Sequence, residues 1–271
     1  MKHHLLNYAL AIFVVALSGQ TALAASSPWQ ESAGGPVRIV VAEPASGETR
    51  VHAVLQVQLN EGWKTYWRDP GDAGVPPQFD LTGSENLELA TLQFPTPHRF
   101  DDGTSVWAGY KEPVSIGVDL KRGDATKAMR LKGSVFLGVC EKICVPVKVE
   151  FDVPLGDAVV TSEDQQLVAS TYAALPQAAS AAMGIESAVV DDKRLIISAA
   201  TPAPNPELYL AAPRGWQFGA PKLVSAAGGK AEFEAAILYA PKGGVQADEV
   251  VNYTLVAGEA AVSGVVGLAG K

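Results

Sequence analysis

The stretch Val139-Cys140-Glu141-Lys142-Ile143-Cys144-Val145-Pro146 contains both cysteines of the 271-residue chain, four positions apart. On one straight strand, residues at that spacing lie about 13 Å apart, too far for the Cα separation of about 4.4–6.8 Å that a disulfide needs. The two cysteines must therefore flank a turn in order to bond. Gly133 to Val139 and Val145 to Val153 predict two strands, and the loop Glu141-Lys142-Ile143 would place the cysteines opposite each other in a hairpin.

Cysteines this close together favour a redox role over a stabilising one. A disulfide that closes only a few residues removes little entropy from the unfolded chain, so it stabilises the fold weakly. At the exposed tip of a hairpin, such a bond is open to attack by other thiols. Pro146 has no amide hydrogen and would stop pairing on the outer edge, which leaves the tip open to a partner. The alternative is a purely structural disulfide, the commonest fate of cysteines in exported proteins.

A metal site is a further alternative at the same two residues. Zinc sites usually have about four ligands, and after residue 24 the chain offers Cys140, Cys144, His52 and His98 as its cysteines and histidines. Soft thiolate ligands select Cu(I), so the two thiolates alone would suit that ion.

The N-terminus has the pattern of a secretory signal peptide. Lys2 precedes an apolar run from Leu5 to Leu17, and Ala22-Leu23-Ala24 is a small-x-small cleavage site. The apolar run is short for a membrane span, so an uncleaved anchor is the weaker alternative. We expect cleavage after Ala24 and export to an oxidising compartment, where a disulfide can persist.

The composition points to an exported β protein and excludes several classes of function. The formal net charge is −8, which is unfavourable for binding nucleic acid or anionic membrane surfaces. Long amphipathic helical patterns are rare, whereas short apolar runs between turn residues are frequent. The sequence contains nothing that resembles a Ser-His-Asp set, a phosphate loop or a paired-carboxylate site, so a hydrolase has no positive support.

Alternating runs between Val37 and about Leu155 predict a mainly β fold with an Ig-like antiparallel β-sandwich. Ser162 then resembles the cap of a short helix with an acidic first turn, and an Ala-rich stretch follows it. From about Ile185, strand-like runs return and predict a second, smaller β domain. We therefore expect four parts: a signal peptide (1–24), the sandwich with the cysteine pair (25–158), a helix and linker (159–184), and the second domain (185–271).

Two aromatic stretches accompany the cysteines. In the first, Trp63, Thr65 and Trp67 would face one side of a strand and Lys64 and Tyr66 the other, so one aromatic set belongs to the core. The second stretch runs from Phe94 to Tyr110 and is predicted to be a long loop. Long loops on β scaffolds often carry function. Its histidine, His98, is expected to be solvated rather than a catalytic base.

Together these stretches resemble the N-terminal periplasmic domain of the DsbD and ScsB family of thiol:disulfide reductases. The resemblance covers roughly residues 36–155. The matching segments are Trp63-Lys64-Thr65-Tyr66-Trp67-Arg68-Asp69-Pro70-Gly71-Asp72-Ala73-Gly74, Pro95-Thr96-Pro97-His98-Arg99, Gly109-Tyr110 and Gly138-Val139-Cys140-Glu141-Lys142-Ile143-Cys144-Val145-Pro146.

The resemblance implies a protein-disulfide reductase component in the periplasm without a bound cofactor. Cys140 and Cys144 would be its dithiol/disulfide, taking electrons from a membrane-embedded thiol carrier and passing them to thioredoxin-like oxidoreductases. The family shields its disulfide with an aromatic cap loop, which makes Phe100, Trp107 and Tyr110 the shield candidates here. The candidates for contact with a partner are Tyr66, Asp69 and Pro146.

The resemblance also leaves open how the protein works alone. Related proteins continue into a transmembrane carrier and a thioredoxin-like domain, and this chain ends at Lys271 before either, so we expect a stand-alone module. ScsB-like proteins are linked to copper tolerance, which keeps a Cu(I) site at Cys140 and Cys144 as an alternative. A non-catalytic interaction domain with a structural disulfide is the remaining alternative.

Overall fold

The computed structural model of the chain describes residues 25–44, 47–71, 74–155 and 160–271, so the predicted signal peptide lies outside the described residues. Ten strands fill the part up to residue 155. They are β1 (Val37–Val41), β2 (Arg50–Val57), β3 (Lys64–Gly71), β4 (Gln78–Asp80), β5 (Leu87–Gln93), β6 (His98–Asp101), β7 (Val106–Tyr110), β8 (Val114–Arg122), β9 (Met129–Cys140) and β10 (Cys144–Leu155).

These strands form two antiparallel sheets with one core between them, here called the sandwich. One sheet has the order β1-β2-β8-β5, and the other has the order β10-β9-β3-β7-β6 with β4 paired to β9. Ile39, Leu55 and Ile116 of the first sheet and Leu131 and Leu137 of the second are fully buried in the shared core. Two antiparallel sheets that pack face to face in this way confirm the predicted Ig-like sandwich.

The predicted long loop between Phe94 and Tyr110 is instead largely a hairpin, here called the shield hairpin (His98–Tyr110). β6 pairs with β7 along all four of its residues. The Asp102 carboxylate forms the turn by accepting hydrogen bonds from the Thr104 hydroxyl and from the N–H groups of Ser105 and Thr104. These bonds to its charged form hold the pKa of Asp102 well below the usual range. The loop prediction was wrong because His98-Arg99-Phe100-Asp101 lacks apolar alternation.

The observed cap of the helix lies one residue before the predicted cap, Ser162. The helix α1 spans Ser162–Ala173, and its cap is Thr161, whose extended backbone lets the side chain accept the N–H of Asp164. Val168 packs with Val40 and Val54 on the outer side of the four-stranded sheet. Within the described ranges, none of the helices is long and apolar enough to cross a membrane.

A nine-stranded sheet follows the helix. It is called the second sheet from here on, to separate it from the two sheets of the sandwich. They are β11 (Gln177–Ala178), β12 (Gly184–Asp191), β13 (Arg194–Ala200), β14 (Glu207–Ala211), β15 (Gln217–Phe218), β16 (Lys222–Ala227), β17 (Lys230–Tyr239), β18 (Val250–Ala257) and β19 (Ala260–Gly270). Their main order is β14-β18-β19-β12-β13-β17-β15, with β11 beside β19 and β16 beside β17. Pairing in the second sheet thus begins at Gln177, inside the stretch that the sequence analysis expected to be linker.

The second sheet packs against the sandwich through the strand β14. Tyr209 and Ala211 of β14 belong to the core of the sandwich, and the Tyr209 ring meets the edge of Trp67 at 6.0 Å between centroids. The side chain of Trp67 thereby lies in the core, as strand alternation predicted for one of the two aromatic sets.

Candidate functional site

The two cysteines lie at the tip of the β9–β10 hairpin. Cys140 ends β9, Cys144 begins β10, and the two are direct partners in the strand register. Their sulfur atoms form a disulfide, and their Cα atoms are 4.1 Å apart. The cysteine hairpin that the spacing predicted is therefore confirmed.

The two cysteines differ sharply in exposure. Cys140 is 1% exposed because β9 is flanked on one side by β10 and on the other by β3, where Lys64 is its register partner. Cys144 is exposed because β10 is the edge strand of its sheet. Ile143, just before it, is 74% exposed. A molecule in solution can therefore reach the sulfur of Cys144 far more easily than that of Cys140.

The Tyr66 hydroxyl lies beside both sulfurs. Its oxygen is 2.8 Å from Sγ of Cys140 and 3.1 Å from Sγ of Cys144. Alternation along β3 puts Tyr66 on the face opposite Trp67, which is the face that the cysteines share. The side chain is 1% exposed. Burial raises the pKa of Tyr66, and the nearby Asp102 charge adds to the shift, so the hydroxyl keeps its proton at neutral pH.

Two glycines make room for the Tyr66 ring. A Cβ on Gly74 would lie 2.5 Å from the ring, and the backbone there has φ = +131°, a conformation that favours glycine. A Cβ on Gly138 would lie 3.3 Å from the same ring. The ring is therefore held between backbone segments, and its hydroxyl has a fixed position.

Two of the three shield candidates, Trp107 and Phe100, pack beside the buried half of the disulfide. The Trp107 ring meets Tyr66 edge-on at 5.8 Å, and Phe100 stacks on Trp107 at 4.3 Å. Tyr66, Trp107 and Cys140 form one buried apolar group with Phe100 packed against it, here called the disulfide cluster.

The third shield candidate, Tyr110, does not belong to the disulfide cluster. It lies three residues after Trp107 on β7 and therefore points to the opposite face, into the core of the sandwich. Its hydroxyl donates to the carbonyl of Pro95 at 2.8 Å, and burial raises its pKa well above the usual value. Tyr110 thus contributes to the core of the sandwich rather than to the shield.

Two lysines that the sequence analysis did not single out also border the disulfide cluster. Lys64 Nζ lies 4.3 Å from the centroid of the Trp107 ring and 3.7 Å from a carboxylate oxygen of Asp102. Lys111 Nζ lies 4.3 Å from the centroid of the Phe100 ring. Such positions over aromatic faces are attractive. Alternation already placed Lys64 on the same face as Tyr66, which is the signal that could have identified it.

The remaining partner candidates are in different surroundings. Pro146 is exposed on the edge strand β10, opposite Gly138. Asp69 instead binds within the protein, where its carboxylate accepts the N–H of Ala212 in the second sheet at 3.0 Å. Asp69 therefore links the two parts of the chain, and the sequence separation of 143 residues explains why no local pattern indicated this.

His52 and His98 do not join the sulfurs in a metal site. Nδ1 of His52 lies 2.9 Å from Asp119, and His98 is exposed with its ring 6.3 Å from Phe100. Over the ranges that the structure describes, no three His, Cys, Asp or Glu side chains gather as metal ligands would. A Cu(I) site would rest on the two thiolates alone and stays an untested prediction.

The comparisons with known proteins agree with this geometry. Residues 37–155 match the family model described as "Thiol:disulfide interchange protein DsbD, N-terminal". The chain is also similar to the crystal structure of the N-terminal periplasmic domain of ScsB from Proteus mirabilis, with a TM-score of 0.73 and 21% sequence identity, covering 90% of this chain and 99% of that one. No curated protein matches the sequence. The match to the family of DsbD N-terminal domains thus extends over residues 37–155, and the similar ScsB domain shares the fold of the chain.

Proposed function

We propose that this protein is a periplasmic thiol:disulfide exchange protein, in which Cys140 and Cys144 relay two electrons between partner proteins. The observation that carries the proposal is the unequal disulfide at the hairpin tip, with Cys144 exposed and Cys140 buried in the disulfide cluster. The family of residues 37–155 and the periplasmic origin of the similar ScsB domain support it. The signal-like N-terminus supports export.

The difference in exposure between the two cysteines supports the following order of reaction. A partner thiolate attacks Sγ of Cys144, a new disulfide forms between the two proteins, and the Cys140–Cys144 bond breaks. The electron pair of that bond stays on Sγ of Cys140, which takes up a proton from water. A second thiolate of the partner then attacks the partner's sulfur atom in the mixed disulfide, and a disulfide forms within the partner. This step releases Cys144 as a thiolate and leaves the partner oxidised.

The reverse sequence would pass the electrons on. Cys144 attacks an oxidised client, and Cys140 then displaces the reduced client from the mixed disulfide. We infer that the electron donor is a membrane-embedded thiol carrier and that the clients are thioredoxin-like oxidoreductases, as the family resemblance implies. Phe100 and Trp107 pack with Cys140 in the disulfide cluster, whereas Cys144 is exposed. This arrangement supports the proposed order because it directs attack to Cys144.

The equilibrium reduction potential of the Cys140–Cys144 pair tests the proposal. The full chain is equilibrated in redox buffers, its free thiols are alkylated, and the reduced fraction is read by mass. A potential of about −180 to −270 mV, the range of thiol-exchange proteins, is expected. A potential below roughly −300 mV would mean a structural disulfide and would reject electron relay. Cys140→Ser, which cannot form the internal bond, sets the alkylation baseline.

A further inference from the structure

The fold brings the Tyr66 hydroxyl to both sulfurs at once. Its distances to Sγ of Cys140 and Cys144 are both within hydrogen-bonding range for sulfur. The ring cannot easily turn away, because the chain at Gly74 and Gly138 packs against it and Trp107 meets its edge. The fold therefore keeps one hydroxyl between two reacting atoms.

The surroundings of Cys140 make a hydrogen-bond donor chemically important. Breaking the disulfide puts a negative charge on a sulfur whose residue is 1% exposed. Burial disfavours a thiolate because it removes the water that would stabilise the charge. A hydrogen bond to the charged sulfur offsets part of this cost, and a thiol with a lower pKa leaves a disulfide faster.

We propose that the Tyr66 hydroxyl is a catalytic hydrogen-bond donor that serves the two sulfurs in turn. It stabilises the thiolate that forms on Cys140 when the internal disulfide opens, and the thiolate that forms on Cys144 when the mixed disulfide is resolved. This inference rests on the proposed exchange function. In the first step the S–S electron pair goes to Cys140 while Tyr66 keeps its own proton, and water protonates the sulfur afterwards.

Donation without proton transfer fits the state of Tyr66. Its pKa lies above the usual value for tyrosine because the side chain is buried. A phenol of that kind remains protonated beside a thiolate. A disulfide sulfur is a weak acceptor and a thiolate a strong one, so the hydrogen bond strengthens as charge develops. An interaction that is stronger in the transition state than in the ground state accelerates the step.

Tyr66→Phe tests the proposal because it removes the hydroxyl and keeps the ring. Reduction of the full chain's disulfide by dithiothreitol is expected to slow about tenfold to a hundredfold, the effect of losing a hydrogen bond to a charged group. In the reduced protein, the pKa of the more acidic thiol, followed by ultraviolet thiolate absorbance, is expected to rise by about one unit or more.

Tyr253→Phe is the matched control. Tyr253 is 4% exposed, and its hydroxyl accepts the N–H of Ile185 within the second sheet, away from the sulfurs. Tyr253→Phe should change neither the rate of disulfide reduction nor the thiol pKa. Both variants keep the charged groups around the tip, which include Lys64, Lys111, Asp102, Glu141 and Lys142. A difference between the two variants therefore reports the Tyr66 hydroxyl.

Two outcomes would overturn the proposal. One is a Tyr66→Phe protein that is folded by circular dichroism and whose rate and thiol pKa lie within the range of the control. If Tyr66→Phe does not fold, replacement of Tyr66 by 3-fluorotyrosine gives a stronger donor of nearly the same size. The thiol pKa should then fall below that of the wild type, and an unchanged or raised value would equally reject the donor role.

The same measurements separate this inference from the proposed function. If the wild-type disulfide resists reduction by the cellular thiol pool while Tyr66→Phe still raises the thiol pKa, electron relay fails and the hydrogen bond stands. If the wild-type protein exchanges readily and Tyr66→Phe matches the control, the function stands and Tyr66 is only a packing residue.

Discussion

At the scale of single residues, the two cysteines owe their different exposure to the strands that hold them. Cys140 ends a strand with neighbours on both sides, whereas Cys144 begins an edge strand. The adjacent strand residues, Val139 before Cys140 and Val145 after Cys144, point to the core face of the sheet, because side chains alternate. The register that pairs Cys140 with Cys144 therefore fixes both the bond and the difference in exposure.

This difference predicts unequal reactivity in the two single-cysteine variants. In Cys140→Ser the remaining thiol is the exposed Cys144, and in Cys144→Ser it is the buried Cys140. We expect Cys140→Ser to react with an aromatic disulfide reagent on the order of tenfold faster or more, because access and thiolate fraction both limit exchange. The rate is measured by release of the coloured thiol, and the mixed disulfide is identified by mass.

The control for this comparison is the same pair of variants in denaturant, where both thiols are exposed and the two rates should converge. Equal rates in the folded proteins, or faster reaction of Cys144→Ser, would contradict the assignment of Cys144 as the attacked sulfur.

At the scale of elements, the hairpin tip presents an apolar side chain next to Cys144. Ile143 is 74% exposed, more than any other large apolar side chain among the described residues. A partner that reaches Cys144 would cover Ile143 at the same time. The tip therefore places an exposed cysteine beside an exposed apolar side chain.

Ile143→Ser should separate partner recognition from chemistry. We expect exchange with a thioredoxin-like protein partner to slow about tenfold or more, because burying an isoleucine side chain contributes about 1.5–3 kcal/mol. Reduction by dithiothreitol should stay within about twofold, since a small thiol does not need the apolar contact. Both rates are measured by stopped alkylation and mass.

Val265→Ser provides a matched control, because Val265 is 62% exposed on β19 of the second sheet. It should leave both rates unchanged. If Ile143→Ser and Val265→Ser behave alike toward the protein partner, the tip is not the contact surface.

The elements also show what could be predicted from sequence. The β9–β10 hairpin followed from the cysteine spacing and clear alternation, and the sandwich followed from similar runs. The shield hairpin was missed because β6 has three polar residues out of four, so its pairing depends on the Asp102 turn rather than on an apolar face. Only part of the site could be predicted. Alternation along β3 predicted which face of the strand Tyr66 occupies, but it did not predict that β9 and β10 place the two sulfurs on that face.

At the scale of the whole molecule, the second sheet is attached to the strands that form the site. The Arg99 guanidinium donates to the carbonyl of Leu208 at 2.6 Å and lies 4.6 Å from the centroid of the Tyr209 ring. Arg99 is the neighbour of Phe100 on β6, and Trp67, which meets Tyr209, is the neighbour of Tyr66 on β3. The second sheet therefore supports the shield hairpin and β3 from the side opposite the disulfide.

These contacts were beyond any local pattern in the sequence. The bond from Arg99 spans 109 residues, and its acceptor is a backbone carbonyl that every residue type possesses. Periodicity identifies which residues are buried, but it does not say which sheet covers them. The same limit applies to the contact of Asp69 with Ala212, and the predicted contact of Asp69 with a partner stays a prediction.

Arg99→Ala tests whether the second sheet supports the shield hairpin. The variant leaves the Leu208 carbonyl without its charged donor, so we expect the free energy of unfolding in urea to fall by about 1.5–3 kcal/mol. Loss of this contact should also loosen both strands that it joins. Amide hydrogen exchange should therefore rise in β6 and in β14, read segment by segment by mass.

Arg38→Ala is the matched control for this last prediction. Arg38 lies 4.5 Å from the centroid of the Trp29 ring and donates to Gln56 at 2.7 Å, so it makes the same kinds of contact within the sandwich alone. It should destabilise the protein without raising exchange in β14. If Arg99→Ala and Arg38→Ala give the same exchange pattern, the second sheet does not hold the shield hairpin. A selective rise in β6 and β14 would mean that the cover over Cys140 depends on a sheet more than 100 residues away in sequence.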